Sequence, residues 1–188
     1  MTYDLYIGDR TFSSWSLRGW LMMEKFNLPY RAHLVGLYSG TMAADLAALA
    51  PVRLVPAMRT PDGTVVGESL AMAETLAERH PDAAMWPADP AARATARWLA
   101  AEMCGGFSAL RGTCPMQLQH VMQGFNVTPD VQADLDRIDV LWEHARAMRT
   151  NDGPWLFGDY SLADAFYAPV VARITGYDLP VSENAKAY

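Results

Sequence analysis

At 188 residues the chain has room for one large domain or two small ones, and with 51% apolar residues it can bury a sizeable core. Its formal charge of −6 argues against a nucleic-acid surface, because no Lys/Arg cluster supplies the phosphate-neutralising charge such binding needs. Two cysteines, Cys104 and Cys114, cannot build a secreted disulfide framework, and no apolar run approaches the ~20 residues of a membrane-spanning helix.

The two cysteines are not a Cys-x-x-Cys redox pair and read as buried thiols. Asp4, Asp9 and Arg10 interrupt the first ten residues, so no secretory signal is read there and the cytoplasm is the expected compartment.

In chain order, Tyr3 to Ile7 alternates apolar and polar types, as a short strand does. A polar loop from Gly8 to Ser14 leads to a helix over Trp15 to Phe26, which Asn27 and Pro29 close. Tyr30 to Leu37 is a second strand, and Thr41 to Ala50 a short helix ended before Pro51. Leu54 to Met58 and Thr64 to Val66 flank the turn Pro61-Asp62-Gly63 and form a hairpin. Glu68 to Arg79 is a clear helix, so residues 1–80 read β-α-β-α-β-β-α.

Pro81 to Pro90 carries three prolines and two aspartates and is the linker. Beyond it no strand pattern appears. Helices are predicted over Ala91 to Leu110, Val131 to Arg149 and Leu162 to Ile174. The fold class is therefore a mixed α/β half over 1–80 followed by an all-helical half over 91–188. Val181 to Tyr188 opens like a helix, with Ser182 as N-cap, and then stops, so the natural product is expected to be longer.

Three stretches of the α/β half offer chemistry. Ser13-Ser14-Trp15 lies between the first strand and first helix, where free amides, hydroxyls and the positive helix end suit an anion or thiolate. Val55-Pro56 places a proline inside an apolar strand, which requires an edge or a special turn. Glu68-Ser69 opens the third helix, where free amides suit a carboxylate and Glu68 suits an ammonium. Taken singly, the first and third serve equally as ordinary helix caps. Ser161-Leu162-Ala163-Asp164 is a capping box with Asp in place of Glu, and its role is structural. The four histidines show no metal-ligand spacing, and no metal is expected.

Together, Ser13-Ser14-Trp15-Ser16-Leu17-Arg18, Ala50-Pro51-Val52-Arg53-Leu54-Val55-Pro56, Glu68-Ser69-Leu70-Ala71 and Ser161-Leu162-Ala163-Asp164 resemble the cytosolic glutathione transferases, over nearly the whole chain. The double serine resembles the zeta class, which includes maleylacetoacetate isomerases. The stretch from Glu102 to Met116 is similar to bacterial relatives. The resemblance implies a thioredoxin-like N-terminal domain, a helical C-terminal domain, glutathione as co-substrate and a homodimer.

It makes Ser13 the hydroxyl on the glutathione sulfur, with Ser14 as fallback and Trp15 beside them. Val55, before a cis Pro56, would pair its backbone with the cysteinyl group, and Glu68 and Ser69 would hold the γ-glutamyl end. Two departures stand out: Trp15 occupies the usual zeta-class cysteine position, and Leu54 replaces a polar side chain, leaving the glycyl carboxylate without a partner. The electrophile is expected against Met103, Phe107 and Arg111, although such residues at helical spacing also build cores. The resulting expectation is conjugation of glutathione to a small electrophile. A zeta-like cis–trans isomerase and a non-catalytic binding protein of the same fold are the alternatives.

Overall fold

The computed structural model describes residues 2–188. They form two compact units, one running to Ala83 and the other spanning Ala84–Tyr188. The division falls inside the proline-rich segment, whose start is a short 3₁₀ turn over Pro81–Ala83.

In the first unit, β1 (Tyr3–Ile7) buries Tyr3, Leu5 and Ile7 on one face. Its period-two pattern is why it sits inside the sheet. β2 (Tyr30–Leu34) pairs parallel to β1, with α1 (Ser14–Glu24) as the crossover between them. β3 (Ala57–Arg59) runs antiparallel to β1 and forms a hairpin with β4 (Val65–Gly67), giving the order β2-β1-β3-β4. Gly63, at φ 90°, turns the hairpin, and Asp62 receives the Arg79 guanidinium at 2.8 Å, tying the turn to the end of α3 (Ser69–Arg79).

Helices α1 and α3 pack on each other and on the sheet, over Leu5, Met22, Met23, Met72 and Leu76. Tyr6, between the buried residues of β1, instead packs with Val35, Leu46, Leu49 and Ala57. The predicted helix over Thr41 to Ala50 is two shorter pieces: α2 (Met42–Asp45) and a 3₁₀ turn over Ala47–Leu49. The second predicted strand ends at Leu34 rather than Leu37, where the chain leaves the sheet for α2.

The second unit is all-helical: α4 (Pro90–Gly105), α5 (Ser108–Thr113), α6 (Pro129–Ala147), α7 (Leu162–Tyr177) and α8 (Glu183–Lys186). Asp89, Thr128 and Ser182 cap α4, α6 and α8 through their side chains. The single helix expected over Ala91 to Leu110 is broken at Gly106-Phe107. Phe107 takes the left-handed conformation (φ 55°), and a Cβ on Gly106 would lie 2.7 Å from the Glu102 carbonyl oxygen. Arg111 donates to the Cys104 and Gly106 carbonyls, covering the open end of α4.

Asp164 anchors α7, accepting from the Ser161 amide (2.8 Å), the Ser161 hydroxyl (3.0 Å) and the Leu156 amide (3.0 Å). Burial raises its pKa, and these hydrogen bonds oppose the rise. Cys114 is buried and its thiol pKa is pushed up by that burial; Cys104 is half-buried.

Candidate active site

Ser13 is the N-cap of α1. Its Oγ accepts from the Ser16 amide at 3.3 Å and donates to the Ser16 hydroxyl at 2.9 Å. Ser16 is fully buried and its Oγ also accepts the Gly8 amide at 2.9 Å, which pins the loop after β1 to the start of the helix. No acidic residue occupies the first turn of α1, so nothing there competes for the positive helix end.

Val55 and Pro56 lead into β3, and the peptide between them is cis, as is that between Ala50 and Pro51. Pro56 is buried, and α1 makes room for it at Gly19. A Cβ there would lie 2.6 Å from Pro56 Cβ. Glu68 precedes α3 with φ 62° and ψ 127°, and its side chain does not cap the helix. A non-glycine residue held there stores about 1–3 kcal/mol, a cost that persists only where the surrounding structure imposes it. Ser69, the first residue of α3, is fully buried.

These three stretches, far apart in sequence, line one cavity of about 410 Å³ in the first unit. Ser13 and Trp15 contribute from the start of α1, Val55 and Pro56 from the approach to β3, and Glu68 and Ser69 from the start of α3. Ser14 is not among the lining residues. Behind the wall, the buried Arg18 holds its guanidinium 4.5 Å from the Trp15 ring centroid.

Four further residues complete the lining. Leu37 and Tyr38, from the connection between β2 and α2, and Met42, the first residue of α2, carry no sequence motif, and Leu54 stands out only as a departure. An apolar connection after an edge strand carries no motif that marks it as a wall. Tyr38 is 86% and Leu54 62% exposed, so this side of the cavity is an open apolar rim.

The three residues considered for a second substrate lie in the helical unit. Met103 is fully buried and Phe107 nearly so, while Arg111 is spent on backbone carbonyls. Each therefore has a part in the packing of its own unit. Among the described residues no group of three His, Cys, Asp or Glu is placed to hold a metal ion, and no helix is long and apolar enough to cross a membrane. His33 bonds Asp4 and His80 bonds the Tyr3 hydroxyl, each at 2.8 Å.

A thioredoxin-like sheet with helix starts around one cavity, followed by an all-helical unit, defines the glutathione-transferase class of fold. The family described as glutathione S-transferase, N-terminal domain, matches residues 12–79. A probable maleylacetoacetate isomerase of Caenorhabditis elegans is 29% identical over 183 residues, covering 95% of this chain and 81% of that protein. A maleylacetoacetate isomerase of Dictyostelium discoideum is 33% identical over 94 residues, covering 50% of this chain and 42% of that protein. A glutathione transferase homologue from Burkholderia, solved with bound glutathione, superposes with a TM-score of 0.70 at 22% identity, over 99% of this chain and 88% of that one. Residues 12–79 thus match the glutathione S-transferase N-terminal domain, and the chain as a whole is similar to maleylacetoacetate isomerases and shares the glutathione transferase fold.

Proposed function

We propose that this protein binds glutathione in the cavity of its first unit, stabilises the thiolate with the Ser13 hydroxyl, and adds it to a small electrophile. The observation that carries the reading is the convergence of Ser13, Val55-Pro56 and Glu68-Ser69 on one cavity. The γ-glutamyl ammonium would face Glu68, its carboxylate the uncapped first turn of α3, and the cysteinyl amide the backbone of Val55.

A free thiol with pKa ~8.5 is mostly protonated at pH 7, so the site must favour the anion. The Ser13 hydroxyl now donates to Ser16 Oγ, and turning it to sulfur gives up that bond, worth about 1 kcal/mol. Ser16 Oγ keeps the Gly8 amide, so nothing buried is orphaned. A hydrogen bond to a charged acceptor returns about 1.5–3 kcal/mol and the α1 N-terminus adds about 0.3–1 kcal/mol. The net gain of roughly 2 kcal/mol lowers the thiol pKa by about 1.5 units, to near 7. No general base is required.

Ser13→Ala should therefore raise the pKa of bound glutathione by about one unit and depress turnover more than binding. Titration of thiolate absorbance in the variant checks this. An unchanged curve would move the role to Ser14 or to the backbone.

The names of the isomerase relatives favour a second reading, in which glutathione adds reversibly to a double bond and is regenerated. Net consumption of glutathione separates the two: conjugation consumes it and isomerisation does not. Retention on immobilised glutathione without either activity would leave a binding protein.

A further inference from the structure

Glutathione carries an ammonium, a thiol and two carboxylates, one at each end. The cavity has an anionic group, Glu68, for the ammonium and helix amides for the neighbouring carboxylate. What remains of the wall, once Ser13, Trp15, Val55-Pro56 and Glu68-Ser69 are assigned, is Leu37, Tyr38, Met42 and Leu54. None of these carries a charge, and among the described lining residues there is no Lys, Arg or His. Arg53 is exposed and does not line the cavity, and Arg18 is buried behind Trp15.

We infer that the site reads the γ-glutamyl end and the thiol of its ligand and leaves the glycyl carboxylate unread. Its substrate class is then γ-glutamyl thiols in general, including those whose third residue is amidated, esterified or extended. This rests on the function proposed above. Physically, the glycyl carboxylate meets an apolar rim in which Tyr38 and Leu54 are exposed and Leu37 and Met42 half-buried, so it stays hydrated at the mouth of the cavity. A neutral group there loses no ion pair, and a longer chain has open space ahead of it.

The test is calorimetric titration of the full chain, at one ionic strength, with glutathione, its glycyl monoethyl ester and α-N-acetylglutathione. The ester is expected to bind within threefold of glutathione, and the acetylated ligand at least tenfold more weakly. An ester more than threefold weaker overturns the inference, because a cation must then read the glycyl end. An acetylated ligand as tight as glutathione overturns it too, because the γ-glutamyl end is then not what is read. Failure of glutathione itself to bind overturns the proposed function and this inference together. Leu54→Lys supplies the missing cation: glutathione should tighten at least threefold while the ester does not change. An equal response from both ligands contradicts the placement of the glycyl end at Leu54.

Discussion

Glu68 holds a backbone conformation that a residue with a side chain seldom adopts, and among the described residues lining the cavity it is the acidic one. Glu68→Gly should relieve about 1–3 kcal/mol of strain, less about 0.5–1 kcal/mol for the added freedom of the unfolded chain. The variant should be more stable by roughly 1 kcal/mol and bind glutathione more weakly. Glu68→Ala keeps the strain and loses the charge, so it should weaken binding without the gain. Denaturant midpoints and calorimetry on both variants check the pair of signs. Ser13→Ala additionally removes a helix cap, costing about 1 kcal/mol, so its activity must be read at a temperature where the variant is folded.

At the level of elements, α1 ties the cavity to the core through Gly19. Replacing it with Ala puts a methyl 2.6 Å from Pro56 Cβ and 3.7 Å from Leu5 Cδ1, in a place that cannot give way without moving Pro56. The overpacking costs about 1–3 kcal/mol, against about 1 kcal/mol gained in helix propensity. The expected outcome is weaker glutathione binding with a net loss of roughly 1 kcal/mol in stability, and unchanged binding would show that the Pro56 position does not matter. In the helical unit, Asp164→Ala orphans the buried Leu156 and Ser161 amides. A loss of about 3 kcal/mol, or roughly 6–12 °C in melting temperature, is expected by thermal scan.

How far these elements were legible in the sequence follows from where their determinants lie. β1 carries its period-two alternation, α3 its helical apolar spacing and α7 its Ser161–Asp164 capping box within their own residues, so their positions can be read directly. The helix break at Gly106-Phe107 was signalled by Gly105-Gly106 but outweighed by the apolar spacing around it. The division of residues 41–50 into two short turns depends on burial of Leu46 and Leu49 against the sheet, which is a tertiary effect. In the site, the residues with motif chemistry were visible, whereas Leu37, Tyr38 and Met42 become a wall only by where the chain after β2 is carried.

At the scale of the whole molecule, alkaline pH is the informative perturbation. Burial holds the Tyr160 and Tyr188 hydroxyls above the ordinary value of 10.0, and the charge of Asp164 adds to both. Above pH 10 the unfolded chain releases protons that the folded chain keeps, so stability falls as pH rises. The denaturant midpoint at pH 10.5 should lie below that at pH 8, and Tyr160→Phe should narrow the gap. A gap unaltered by that substitution would show that Tyr160 is not its source.

Glutathione is expected to occupy the cavity between the starts of α1 and α3, and a crystal structure with that ligand tests this most directly. The sulfur should lie within hydrogen-bonding distance of Ser13 Oγ, with the γ-glutamyl group at Glu68 and Ser69. A cavity left empty at saturating glutathione, or a sulfur that meets neither Ser13 nor the first amides of α1, would contradict it.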